Sequence, residues 1–318
     1  MPTLPPGYSV RRPTLDDGPN VFAVVAAQNI DAIGAADYTE QDASDELDEP
    51  TFDRDRDGWL VLTEAGEPAG WAWAVIKTGS DNTEMQVYAL PGHDELYGWL
   101  WETAEERARE KAREAGYSTT RLDINMYPQE KRTRRTAEAK GYQAAARFVR
   151  MRIDHPQLVP PPSLPEGTTL RHGTSEEKVR RDALDVRNKA FHDHYGFVPK
   201  DYDEWVQERE GSAAHDWSLV HVLYDGEEPA AVLVRTNHFV PDENLGYVLT
   251  LGTVPGNQGR GLAGFLLRYA FAEDAAIGRA GTVLHVDSNP QRPALGLYTR
   301  AGMREVLVID SWRKLLDV

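Results

Sequence analysis

The chain repeats itself. Val10-Arg11-Arg12 returns as Leu170-Arg171-His172, the segment from Trp59 to Gly70 (WLVLTEAGEPAG) returns as Trp217 to Val232 (WSLVHVLYDGEEPAAV), and Lys140-Gly141-Tyr142 returns as Ala301-Gly302-Met303. The offsets stay near 160 in a chain of 318 residues, so two copies of one fold are expected rather than a single large core. Between these landmarks Leu96, Trp99, Leu100 and Thr103 repeat the i, i+3, i+4, i+7 spacing of Leu262, Phe265, Leu266 and Tyr269, the pattern of a half-buried helix. The expected join is Pro156 to Pro165 (PQLVPPPSLP), whose prolines oppose helix and central strand and favour an extended, stiff connector. This places the first copy at 1–155, a linker at 156–166 and the second copy at 167–318.

The copies differ most where a ligand would bind. In the second, an apolar strand predicted from Gly246 to Val254 runs into Pro-Gly-Asn-Gln-Gly-Arg-Gly, and an amphipathic helix opens at Leu262. Gly256, Gly259 and Gly261 admit backbone conformations closed to residues with a Cβ and leave room against the main chain. The helix start adds unpaired amides and a partial positive charge, a ready site for a pyrophosphate. The turn lacks the Gly-Lys-Ser/Thr of a P-loop and is not the Gly-x-Gly-x-x-Gly of a dinucleotide fold. In the first copy the same place reads Tyr88-Ala89-Leu90-Pro91-Gly92-His93-Asp94, with acidic Asp94 and Glu95 expected to cap the helix where a phosphate would sit.

Gln258-Gly259-Arg260-Gly261-Leu262-Ala263 matches Gln/Arg-x-x-Gly-x-Gly/Ala, and Ala294-Leu295-Gly296-Leu297-Tyr298, followed by Gly302-Met303, matches Ala-x-x-Leu-Tyr-x-x-x-Gly-Phe. On these two linked motifs the chain resembles the GNAT superfamily of N-acetyltransferases, in the tandem form of mycothiol-synthase-like actinobacterial proteins. The resemblance implies an α/β (α+β) fold of two tandem GNAT-like domains, each a mixed, mostly antiparallel sheet flanked by helices. The first domain is then degenerate and without cofactor, and the second binds acetyl-CoA as co-substrate. It also implies that Leu251, Gly252, Thr253 and Val254 pair their backbone with the pantetheine arm, while Gln258, Gly259, Arg260, Gly261, Leu262 and Ala263 hold the pyrophosphate.

Acetyl transfer needs a neutral amine, an acceptor for its proton, and an acid for the departing thiolate. Tyr298 stands at the family's tyrosine position and is the expected acid; a tyrosine packed on the last helix face is the structural alternative. The family's asparagine lies three or four residues before the alanine, whereas Asn289 lies five before Ala294 and Pro293 intervenes. No glutamate occurs from Gly246 to Thr253, so the base is open among Asp287, Glu243 and a water held by Thr250; Asp287 is preferred, although an Asp-Ser-Asn-Pro segment also caps turns.

Acceptor binding is expected from Phe191, His194, Tyr195 and Trp205. The segment Ala190-Phe191-x-x-His194 resembles one in mycothiol-synthase-like proteins, and the plain alternative is an aromatic core with a histidine-capped helix end. His192 and His194 sit two apart, facing away from each other on a helix, and no third ligand cluster is apparent, so no metal is expected. Lys131-Arg132-Thr133-Arg134-Arg135 reads as a solvated helix face, with an anion site as the alternative.

Composition bounds the rest. The chain has no cysteine, hence no disulfide framework or thiolate zinc site. Met1 to Arg12 has three prolines and no apolar core, and no apolar stretch suits a bilayer, so a cytoplasmic protein is expected. With 35 Lys plus Arg against 51 Asp plus Glu, the formal charge of −16 disfavours nucleic acid and anionic membranes as partners. The expected partner is a small-molecule amine, and the expected assembly is a monomer with pseudo-dimer layout or a weak homodimer. The main functional expectation is acetylation of a small-molecule primary amine. The alternatives are mycothiol-synthase-type acetylation of a cysteinyl pseudodisaccharide and non-catalytic acetyl-CoA binding.

Overall fold

The computed structural model describes residues 2–49, 51–174, 176–288 and 294–318, and the chain divides into two compact units. The first unit comprises Met1–Ala145 together with Ile309–Val318, and the second comprises Ala146–Val308. Asn289 and Pro293 lie outside the described residues.

In the first unit the order is β1 (Tyr8–Arg11), α1 (Gly18–Ile33), α2 (Glu40–Asp48), β2 (Gly58–Thr63), β3 (Pro68–Ile76), β4 (Asn82–Ala89), α3 (Asp94–Glu114), β5 (Thr119–Met126), α4 (Lys131–Ala139) and the start of β6 (Gln143–Asp154). Then the second unit runs through β7 (Thr168–His172), α5 (Glu177–Phe191), α6 (Tyr202–Glu210), β8 (Val220–Asp225), β9 (Glu228–Thr236), α7 (Val240–Glu243), β10 (Leu245–Thr253), α8 (Leu262–Ala276), β11 (Gly281–Asp287), α9 (Ala294–Arg300) and β12 (Arg304–Asp317). Each unit is a mixed, mostly antiparallel sheet flanked by helices. Strand order is β1-β2-β3-β4-β5-β12 in the first and β6-β11-β10-β9-β8-β7 in the second, with β4·β5 and β10·β11 the parallel neighbours.

Both faces of each sheet are packed. In the second unit, Phe265, Leu266 and Ala270 of α8 close one face over Val248, Leu284 and Val286; Val179, Ala183 and Val186 of α5 close the other over Val222, Val232 and Val234. The first unit repeats this with α3 on one side and α1 with α2 on the other.

The last strand of each copy departs from the simple repeat. Residues 309–317 of β12 pair antiparallel with β5 of the first unit, from Asp310↔Met126 to Asp317↔Thr119, and bury Trp312 and Leu316 in its core. Residues 148–154 of β6 pair with β11 of the second unit, from Phe148↔Asp287 to Asp154↔Gly281. The proline-rich segment expected to divide the chain therefore follows β6 instead of separating two self-contained halves: the compact units change over at 145/146 and again at 308/309. Local pattern is blind to this, because an alternating strand reads alike whichever sheet it completes.

Candidate active site

Strand β10 is where the second unit opens. Its pairing with β9 slips between Val248 and Thr250, leaving Leu249 as an extra residue in a bulge. Its parallel pairing with β11 runs from Leu245↔Gly281 to Val248↔Leu284 and stops there, so the register lapses beyond the bulge, ahead of His285–Asp287. A strand edge without a neighbouring ladder offers amides and carbonyls to an extended ligand. Gly252 is needed on this strand: a Cβ would lie 2.9 Å from Ala190 Cβ and from Phe191 Cε2, so the end of α5 packs directly on the backbone.

After a single 3-10 turn (Pro255–Asn257) the chain reaches Gly261, whose φ of +79° forms the N-cap of α8 in the left-handed region that favours glycine. The first amides of α8 thus stand at the mouth of a cavity of about 830 Å³. Leu251, Gly252, Thr253, Gln258, Gly259, Gly261, Leu262 and Ala263 all line it, as do Phe191, His194, Asp287 and Tyr298. The structure brings these predicted residues together.

Others it places elsewhere. Val254 continues the β9 ladder through its N–H to Ala230 O (3.0 Å) and packs its side chain toward the α5 and α6 core. Arg260 turns away to Asp225 at the end of β8, donating from Nη2 to Oδ1 at 3.1 Å and from Nη1 to Oδ2, so its guanidinium is held by a carboxylate and lies outside the cavity lining. Trp205 is fully buried, with its ring centroid 5.4 Å from that of Trp217, and belongs to the core of α6. Tyr195 sits edge-on to Phe148 at 6.4 Å, also away from the lining. For Trp205, aromatic richness marked packing instead of a pocket wall. Glu243 is ion-paired with Arg150 and with Arg152 (3.4 Å), and Thr250 is buried outside the lining.

Tyr298 is 8% exposed, and burial pushes its phenol up to about 12. It therefore keeps its proton throughout the neutral range. Asp287 ends β11 at the rim, and His194 stacks obliquely on Phe191 with centroids 4.7 Å apart.

Among the lining residues that escaped sequence reading is His285. It is the polar interruption in Thr-Val-Leu-His-Val-Asp, and strand alternation turns it to the face opposite Leu284 and Val286. Its Nδ1 lies 3.1 Å from Tyr247 Oη, and its cross-strand neighbour is Arg150. Burial, aided by Arg150 and His238, pushes the imidazole down to about 4. That alternation was the available signal.

The matching place in the first unit is built differently. Strand β4 pairs with β3 without a slip, from Ile76↔Thr83 to Gly70↔Ala89, although its parallel ladder to β5 also stops early, at Met85↔Ile124. The N-cap of α3 is His93, and Asp94 lies beside Arg132 (3.6 Å). Arg132 is not on a solvated face. Its Nη2 donates to Ala89 O (2.5 Å) and Gln28 Oε1 (3.1 Å), while Ala89 N–H donates to Gln28 Oε1 (3.4 Å). Gln28 and Arg132 thus satisfy the backbone groups that a strand-like ligand would need. Arg134, in turn, donates to Asp310 at 3.1 Å.

Comparison with known proteins agrees with this geometry. Residues 181–303 match the acetyltransferase (GNAT) family model. Mycothiol acetyltransferase of Beutenbergia cavernae is 34% identical over 147 residues, covering 46% of this chain and 48% of that protein, so the chain aligns with about half the length of this relative. Among solved structures, a GCN5-related N-acetyltransferase from Sphaerobacter thermophilus superposes with a TM-score of 0.83 at 21% identity, covering 99% of this chain and 98% of that one. A tandem GNAT protein from the clavulanic acid biosynthesis pathway gives 0.71 at 15% identity, covering 97% and 98%. The second unit thus resembles the GNAT acetyltransferases over residues 181–303, and the chain as a whole shares the two-unit fold of these solved structures. Among the described residues no cluster of His, Cys, Asp and Glu could hold a metal ion, and no helix is long and apolar enough to cross a membrane.

Proposed function

We propose that the second unit transfers the acetyl group of acetyl-CoA to a primary amine by direct attack. The observation that carries this is the meeting, in one cavity, of the lapsed β10·β11 ladder, the glycine-started helix α8 and the buried phenol of Tyr298. The exposed strand edge suits the pantetheine amides, and the α8 amides suit the pyrophosphate. Tyr298 donates its proton to the leaving thiolate, while Phe191 and His194 border the acceptor. Asp287 at the rim relays toward solvent the proton lost by the amine. Arg260 joins the pyrophosphate only by leaving Asp225.

The preferred acceptor is the amine of a cysteinyl pseudodisaccharide, supported by the 34% identity to a mycothiol acetyltransferase and the Ala190-Phe191-x-x-His194 segment. A different small-molecule amine is the second reading, favoured by the open rim at Leu249 and Asp287. Incubation with acetyl-CoA and either the cysteinyl pseudodisaccharide or an amine panel, with products read by mass, tests both. Acetyl-CoA binding without any acetylated product would leave a non-catalytic binding protein.

A further inference from the structure

We propose that His285 is the group that takes the proton from the attacking amine, with Tyr247 holding its ring in the productive tautomer. This rests on the acetyl-transfer reading and deepens it.

Tyr298 packs in the core cluster of Leu284 and Val286, on the α8 side of β11. His285 lies between those two residues in sequence and so projects from the other face, where α5 packs. Both line the same cavity beside the place where the β10·β11 ladder lapses. A thioester threaded there has a proton donor on one side and an imidazole on the other, as a reaction that delivers one proton and removes another requires.

The surroundings favour a neutral ring. Arg150 on β6 is the cross-strand neighbour, with its guanidinium carbon 4.2 Å from the Phe239 ring centroid and its charge shared with Glu243. His238 adjoins the same aromatic group, Arg209 of α6 faces Tyr247, and Asp287 stands two residues along β11. The contact of 3.1 Å between Nδ1 and Tyr247 Oη admits either donor; in the tautomer proposed here Nδ1–H donates to Tyr247 Oη and the Nε2 lone pair faces the cavity. A weak base suffices, because the nitrogen becomes strongly acidic as it bonds to the carbonyl carbon.

The step balances. The amine nitrogen bonds to the thioester carbon and its proton passes to His285 Nε2. The C–S bond then breaks with its electron pair on sulfur, and sulfur takes the Tyr298 proton. Water restores the proton to Tyr298 and removes the one on His285.

The test uses the full chain, acetyl-CoA, and the cysteinyl pseudodisaccharide, glucosamine, spermidine and tyramine as probes. His285→Ala is expected to lower kcat by about a hundredfold while acetyl-CoA affinity stays within about twofold, and added imidazole should restore turnover severalfold, which a packing role would not allow. In wild-type protein, ¹⁵N spectra should show Nε2 unprotonated at pH 7, and Tyr247→Phe should redistribute the tautomers. A kcat within about threefold of wild type, a variant deaf to imidazole, or an Nε2–H tautomer at pH 7 overturns the proposal alone. Wild-type protein that binds acetyl-CoA but acetylates no probe removes the transfer reading and the proposal together.

Discussion

Arg132 donates a hydrogen bond from Nη2 to the carbonyl of Ala89 at 2.5 Å, so a side chain of the first unit occupies the strand end whose counterpart in the second unit lines the cavity. Calorimetry of the full chain with acetyl-CoA should therefore give a stoichiometry near one. Gly261→Asp should abolish binding, since a carboxylate at the head of α8 repels the phosphates and an aspartate there must adopt a φ of +79°. Two sites per chain, or binding that survives the substitution, would contradict this.

Tyr298→Phe should fold, bind acetyl-CoA as wild type does, and lose roughly ten- to a hundredfold in kcat. Because the phenol is held near pH 12, no loss from its ionisation is expected below about pH 10. Steady-state rates from pH 6 to 10 check both statements; unchanged kcat would return Tyr298 to packing.

His194→Ala should raise the acceptor KM without weakening acetyl-CoA, because the ring leans on Phe191 at the end of α5 rather than on the α8 turn. Equal effects on both ligands in paired titrations would show that its removal disturbs Gly252 and the strand beneath.

Acid should destabilise the fold before it titrates most carboxylates. Burial pushes His215, His221 and His285 down from 6.5 to about 4. Between those values the unfolded chain binds protons that the folded chain refuses, so the stability present above pH 6.5 is lost as pH falls toward 4. The slope is about 1.4 kcal/mol per pH unit for each histidine. Urea unfolding at pH 7.0, 6.0 and 5.0 measures the net slope, to which Glu46, raised by burial to about 7, contributes with the opposite sign, and His221→Gln should remove one histidine's share.

Trp312→Ala should cost about 3 to 5 kcal/mol, because the residue is buried in the first unit's core although it comes from the far end of the sequence. Fragment 167–318 should fold poorly beside fragment 146–308, since it lacks the residues of β6 that pair with β11. Circular dichroism melts of the two fragments decide the point; equal stability would mean that β6 is dispensable.

What could be read without coordinates was whatever local pattern encodes. The glycine turn, helix α8, strand β11 and short helix α9 all announce themselves through spacing and turn chemistry, and the copies align because their hairpins share a pattern. Leu249 as a bulge, Arg260 on Asp225 and Arg132 on Ala89 depend on registers and side-chain directions between segments distant in sequence. Trp205 illustrates the same limit: composition marks an aromatic segment, and only packing separates wall from core. His285 was missed, although strand alternation alone could have marked it.

The crossing-over of last strands also sets an order of completion. Residues 146–308 contain the whole second sheet, whereas the first awaits its sixth strand until residue 317 has been made. The half translated first is the half finished last, and β5 carries an open edge through much of synthesis. The same interlock resists gene loss. Deleting the first copy at 155 would strip β6 from the second sheet and leave Trp312 without its core, so neither copy can be lost without damage to the other.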